Sequence, residues 1–224
     1  MIKFKIGNRI ISENHEPLVI AEIGINHNGN LDSAISIVDS AIKAGVEIIK
    51  HQTHVVDDEM ADAAKKVIPG NSNKSIYQIV NEMALSEKDE KKLMNYVISK
   101  KRIFFSSPFS RKAVDRLEKF GVPLYKIGSG ECNNYPFVEY ICRKKKPIIL
   151  STGMNTLKTI EPAVKIIRKY KLPYALLHCT NIYPTPHKLV RLNAMLELKK
   201  RFKDAVIGLS DHSETIYTAL GAVS

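Results

Sequence analysis

The chain has 224 residues, 44% hydrophobic and 25% charged, enough for one sizeable domain with its own core and an ordinary balance for a globular protein. Its 34 Lys and Arg against 23 Asp and Glu give a net charge of +11, which favours anionic partners, but the basic residues fall in helical stretches (143–146, 165–171, 199–203) rather than in one aromatic-studded stripe, so no nucleic-acid partner is expected. No run of about 18 uncharged apolar residues and no apolar leader occurs, and the odd set Cys132, Cys142 and Cys179 lies outside any CxxC spacing; a cytoplasmic protein with no membrane partner and no disulfide framework is expected.

In chain order, residues 1–16 read as a small β-hairpin turning at Gly7-Asn8 and ending at Ser12. Residues 17–224 then alternate short apolar runs with amphipathic segments. The strand-like runs are 18–23, 46–49, 103–105, 124–127, 147–150, 174–177 and 205–209, and most are near-continuous apolar stretches, as in parallel strands covered by helices. Ile35, Val38, Ala41 and Ile42 share one helical face, and Gly45 stops that helix. Residues 53–75 read as a long polar loop containing Pro69-Gly70-Asn71, of the kind that serves function. Ser86, with Asp89 three residues on, caps a helix over 87–100. Ser110 opens a segment whose Val114, Leu117 and Phe120 share a face before Gly121, and further helices are expected at 157–169 and 192–201.

Repeated strand-then-helix units imply right-handed crossovers and a parallel sheet, open or closed. No GxGxxG or GxxxxGK(S/T) loop follows the first strand, which disfavours a nucleotide-binding open sheet. Polar residues gather just after every strand, which suits a barrel whose active site draws on many strand ends. The expected fold class is therefore α/β: a (β/α)8 TIM barrel, truncated after strand 7, with an N-terminal β-hairpin. Seven strands are legible and a closed barrel takes eight, so the chain reads as a fragment.

The strand ends carry the chemistry. They read Glu22-Ile-Gly-Ile-Asn26-His27-Asn28-Gly29, Lys50-His51-Gln52-Thr53-His54, Ser106-Ser107-Pro108, Lys126-Ile-Gly-Ser129-Gly-Glu131, Ser151-Thr-Gly-Met-Asn155, His178-Cys179-Thr180-Asn181-Ile-Tyr183 and Gly208-Leu-Ser210-Asp-His212. Two strand lysines with hydroxyl donors and glycines suit a small phosphorylated, carboxylated ligand, because charge-assisted hydrogen bonds fix the anion and glycines let backbone amides approach. His27, His51, His54 and His178 match no tetrahedral metal spacing and read as pocket lining or structure. Cys132 and Cys179 have no evident general base and read as inert.

The segments 21–29, 125–136, 151–155 and 208–212 resemble the signature stretches of the sialic acid synthase family, in the family's order and over residues 17 to the end. The resemblance implies a (β/α)8 barrel followed by an antifreeze-like domain, a homodimer, and a divalent metal, Mn2+ or Mg2+. It implies phosphoenolpyruvate held by Lys50, Ser107, Lys126, Ser129, Ser151, Asn181 and Ser210, with Ser107 standing where the family often has threonine. Glu22 then matches a catalytic carboxylate near the sugar's reacting centre, Gln52, Glu131 and Tyr183 are sugar contacts, and His212 is one of two histidine metal ligands, the other lying on strand eight. The implied reaction condenses phosphoenolpyruvate with N-acetylmannosamine to N-acetylneuraminic acid and phosphate. The substrates that lead to legionaminic and pseudaminic acids are the alternative within the family; a Schiff-base aldolase using Lys50 or Lys126 and a non-catalytic basic binding protein are the readings outside it.

Overall fold

Apolar β-branched runs make the strands, and capped amphipathic segments make the helices between them. A computed structural model describes residues 3–12, 14–70 and 72–224, so Asn71 of the Pro69-Gly70-Asn71 turn lies outside the described residues. The hairpin forms as the sequence predicts: β1 (Lys3–Ile6) pairs antiparallel with β2 (Arg9–Ser12), Lys3 opposite Ser12, with Phe4 and Ile6 buried.

The chain divides into two compact units, one of residues Leu18–Pro123 and one of Met1–Pro17 with Leu124–Ser224. In the first, β3 (Ile20–Gly24), β4 (Ile48–Thr53) and β5 (Ile103–Pro108) pair in parallel, with Glu22 level with Lys50 and Gln52 level with Ser107. Between β3 and β4 runs α1 (Leu31–Lys43), capped by the Asn30 side chain, which accepts from the Ser33 amide at 2.8 Å. The segment after β4 holds α2 (Val56–Glu59), a 3-10 turn (Asp62–Lys65) and α3 (Ile76–Met83), whose Ser75–Gln78 capping box ties both ends of its first turn. Within the expected loop over 53–75 lie one short helix and one 3-10 turn, and α3 begins directly after it. Then come α4 (Glu87–Ser99), which starts at Ser86 and buries Leu93, Met94 and Val97, and α5 (Arg111–Phe120), which ends in a left-handed Gly121.

The second unit adds four parallel strands: β6 (Tyr125–Ile127), β7 (Ile148–Ser151), β8 (Tyr174–Cys179) and β9 (Val206–Ser210). Lys126 lies level with Ile149, Ser151 with Leu177, and Cys179 with Ser210. The helices α6 (Tyr135–Cys142), α7 (Leu157–Lys169), α8 (Asn193–Arg201) and α9 (Tyr217–Val223) follow the strands in turn. No described helix is long and apolar enough to cross a membrane.

The strands end later than their apolar runs. β4 continues through Lys50, His51, Gln52 and Thr53, and β5 through Ser106, Ser107 and Pro108, because ladder pairing with neighbours holds polar residues as well as apolar ones. The polar residues expected just beyond the strands are therefore, in large part, the last residues of the strands themselves.

Candidate active site

In the Leu18–Pro123 unit the level placement of Glu22 and Lys50 brings their side chains into an ion pair. The Lys50 ammonium is buried and also reaches the Ser107 hydroxyl at 3.4 Å. Glu22 Oε1 accepts the Gly24 amide at 2.6 Å, which folds the carboxylate back over its own strand end. A methyl group placed on Gly24 would stand 3.5 Å from Glu22 Oε1 and 3.8 Å from Gln52 Nε2, so the amide of Gln52 sits beside the same carboxylate. His54 steadies Gln52: its Nε2 lies 3.4 Å from Gln52 Oε1, its Nδ1 2.8 Å from Glu59, and its ring stacks on Phe109 at 4.6 Å. A buried ammonium, a hydroxyl, a carboxylate and an amide thus project from three adjacent strand ends.

In the other unit Lys126 is buried and donates to Ser151 Oγ at 2.5 Å and to the Ile127 carbonyl at 3.1 Å. Removal from water dominates its ionisation and lowers its pKa to about 8, against the smaller opposing pull of Cys179 and Cys132. Two residues beyond Ser151, the Gly153 amide donates to Ser129 Oγ at 3.0 Å, and Asn155 Nδ2 bridges the Ser129 and Gly153 carbonyls at 2.9 and 2.7 Å. Asn181 closes against this turn: a β-carbon on Gly153 would fall 1.8 Å from Asn181 Oδ1. Only glycine fits there.

Ser210 ends β9 level with Cys179, and His212 follows two residues later. His212 Nδ1 lies 2.9 Å from the Thr180 carbonyl, so that nitrogen carries a proton and Nε2 holds the lone pair, accepting from the Tyr183 hydroxyl at 3.0 Å with the two rings 4.0 Å apart. Hydrogen bonding to Cys179, 3.8 Å from Nδ1, raises the imidazole pKa against the effect of burial. Burial raises the Cys179 thiol, but hydrogen bonds from His212, Ser129 and Ser210 outweigh it, and its pKa lies below the usual thiol value. Of the two cysteines read as inert from the sequence, Cys132 is pushed up to about 12 by burial, as is Cys142, whereas Cys179 shifts the other way because hydrogen bonds reach its sulfur.

Glu22, Lys50, Gln52 and Ser107 form one cluster. Lys126, Ser129, Ser151 and Asn181 form a second, tied through the 151–155 turn, and Ser210, Tyr183 and His212 meet around Cys179. Glu131 turns instead to Asn134, whose Nδ2 donates to it at 2.7 Å. Sequence reading missed Gly153, whose need for the smallest side chain shows only once Asn181 is placed, and read Cys179 as inert because its partners come from the distant ends of β6 and β9. Among the described residues no group of three or more His, Cys, Asp or Glu side chains is placed to hold a metal ion; His212 and His178 each have one ring nitrogen fixed by a backbone carbonyl, of Thr180 and Val190 respectively.

Strand ends of this composition on repeated β/α units are the layout of a barrel enzyme. A crystal structure of N-acetylneuraminic acid (sialic acid) synthetase from Leptospira borgpetersenii, in complex with citrate, matches with a TM-score of 0.88 and 31% identity over 98% of this chain and 73% of that one. The fold is thus a (β/α)8 TIM barrel carried through its seventh strand, with an N-terminal hairpin. The NeuB family profile matches residues 37–224, and the chain belongs to that family. Its relatives include the N,N'-diacetyllegionaminic acid synthase of Campylobacter jejuni, 37% identical over 92% of the chain, and the human N-acetylneuraminate-9-phosphate synthase, 30% identical over 96%. The chain spans 64% and 61% of the length of these two relatives.

Proposed function

We propose that this chain is the catalytic barrel of a nonulosonate synthase that condenses phosphoenolpyruvate with an N-acetylated amino sugar, with N-acetylmannosamine as the acceptor and N-acetylneuraminic acid and phosphate as products. The observation that carries this reading is the pair of buried lysines, each with a serine hydroxyl in reach: Lys50 with Ser107 and Lys126 with Ser151. In each unit a buried ammonium with a hydroxyl in reach suits an anionic group, as a phosphate or a carboxylate is. The names of the Leptospira, Campylobacter and human relatives support the same class.

In this mechanism the phosphoenolpyruvate-binding groups are Lys50, Ser107, Lys126, Ser129, Ser151, Asn181 and Ser210, the lysines supplying charge and the others hydrogen bonds. C3 of phosphoenolpyruvate attacks the sugar aldehyde, water adds at C2, and the tetrahedral intermediate collapses with loss of phosphate. Glu22, beside Gln52, orients the sugar or takes the proton from the attacking water. His212 Nε2 would contribute one ligand to a divalent metal, Mn2+ or Mg2+, which when bound supplies Lewis-acid polarisation of the aldehyde. A second acceptor reading, the sugars leading to legionaminic or pseudaminic acid, is favoured by the C. jejuni relative.

Calorimetric titration of phosphoenolpyruvate into the protein, followed by phosphate-release assays with each acceptor, tests the proposal. Lys126→Ala should weaken phosphoenolpyruvate binding roughly ten- to a hundred-fold, the loss of one charged hydrogen bond. Unchanged affinity would remove Lys126 from the site; absence of phosphate release with every acceptor, in the protein extended to its relatives' length, would sink the reaction.

A further inference from the structure

β4 uses its two faces differently. Lys50 and Gln52 project toward the cluster described above, while His51 and Thr53, one residue out of step, project to the opposite side. There lies a buried polar chain that the proposed reaction does not use. His27 and His51 are each 1% exposed, and Glu90, Thr53 and Ser106 are completely buried. His27 Nε2 lies 3.1 Å from His51 Nε2, with the rings stacked at 5.2 Å. His51 Nδ1 lies 3.2 Å from Glu90 Oε1, which also accepts from the Thr53 hydroxyl, and Arg116 Nη1 donates to Glu90 Oε2 at 3.2 Å. Ser106 Oγ, on β5, meets Thr53 Oγ1 at 2.7 Å.

The proton positions follow from the far end. The Gly29 amide donates to His27 Nδ1 at 3.2 Å, so that nitrogen carries the lone pair and the ring proton is on Nε2. Two Nε2 atoms can share one proton, so His51 Nε2 accepts it and the His51 proton sits on Nδ1, facing Glu90. Donation runs in one direction from the loop after β3, across β4, to Glu90 on α4, and Arg116 on α5 donates to the same carboxylate from the other side. Gly29 is itself locked in place: φ is +71°, and a β-carbon there would lie 2.3 Å from the Glu82 carbonyl.

The chain touches the backbone at two informative places. His27 stands five residues after Glu22, and His51 directly follows Lys50. We propose that His27 and His51, braced by Glu90, are positioning residues: a dry hydrogen-bonded strut that fixes the strand ends presenting Glu22 and Lys50. The functional part of this proposal rests on the reading of those two residues as substrate-binding groups; the mechanical part does not. Solvated histidines at these points would leave the loop after β3 free to drift, and misplacement by about 1 Å is costly at a reacting centre.

His27→Gln and His27→Phe separate the strut from simple space filling. Glutamine's Nε2 reproduces the donor to His51, whereas phenylalanine fills the volume and leaves the His51 nitrogen and the chain behind it unsatisfied. Hydrogen exchange at the Gly24 amide reports whether Glu22 remains folded over its strand end, and exchange in the Leu124–Ser224 stretch reports whether the rest of the protein keeps its structure. Nitrogen NMR of the imidazoles reads the tautomers directly. The expected results are a proton on Nε2 of His27 and Nδ1 of His51, roughly ten-fold or greater acceleration of Gly24 exchange and a comparable loss of phosphoenolpyruvate affinity in the Phe variant, and recovery of most of both in the Gln variant. Reversed tautomers, equal behaviour of the two variants, or changes confined to Gly29 would overturn the strut. Should wild-type protein bind no phosphoenolpyruvate, the proposed function fails, while the exchange and tautomer readouts still decide the strut.

Discussion

Replacing Gly153 by alanine tests how tightly the 151–155 turn is packed on Asn181. The added β-carbon would stand 1.8 Å from Asn181 Oδ1 and 2.9 Å from the Cys179 carbonyl, where real contacts do not fall below 3.0 Å. The Asn181 amide must retreat by at least 1.2 Å, the difference between its contact and that limit. Retreat breaks its 3.2 Å hydrogen bond from the Cys179 thiol. Gly153 does not occupy the left-handed region, so the backbone accepts alanine and the penalty is steric. Overpacking of this kind costs about 1–3 kcal/mol. Asn181→Ala removes the atom that clashes, so in urea denaturation of the wild type, both single variants and the double variant, the double should recover about 1 kcal/mol or more of the Gly153→Ala loss. Losses that add to within about 0.5 kcal/mol would show that the two residues are not packed as described.

Three further outcomes follow from buried charge. Lys126 sheds its proton at about 8 in the folded protein and at 10.5 when unfolded, so the unfolded chain holds the extra proton between those values and this group's contribution to stability rises with pH across that window. Lys126→Met should flatten that rise and, below pH 8, stabilise the protein by on the order of 3 kcal/mol in denaturant titrations; an unchanged pH profile would contradict the burial. Burial and the neighbouring His51 lower His27 from 6.5 to about 4, so the unfolded state gains a proton first as pH falls, and stability should drop between pH 6.5 and 4, a drop that His27→Gln removes. Glu90→Ala strands the buried His51 Nδ1 proton and leaves Arg116 only its 3.7 Å pairing with Glu87, and should cost about 3–5 kcal/mol, with a loss under 1 kcal/mol pointing to a solvated carboxylate.

The barrel and most of its strand-end residues were legible because parallel strands buried on both faces leave continuous apolar runs, and because lysines and serines at their ends break those runs abruptly. The helix over 157–169 was read to the residue. Harder elements failed for physical reasons. α3 is only eight residues long and buries no side chain completely, so its apolar stripe is too short to separate from a loop, although its Ser75–Gln78 capping box was there to be seen. α6 opens Tyr135-Pro136, and a proline that suits a helix's first turn reads as a turn in its own right. The strut was invisible because His27, His51 and Glu90 are far apart in sequence; histidines at strand ends look alike whether they face a ligand or a helix.

The alternation along β4 also limits how this protein can diverge. Successive residues serve opposite sides, so inserting or deleting one residue within Ile48–Thr53 would exchange Lys50 with His51, placing an imidazole beside Glu22 and Ser107 and an ammonium against Phe104 and Glu90. A length change in this strand therefore disturbs both sides at once, whereas point substitution at Gln52 alters one face and spares the other. The exposed stretch around the 3-10 turn Asp62–Lys65 has no such alternating constraint, so a change of length there disturbs neither face of β4.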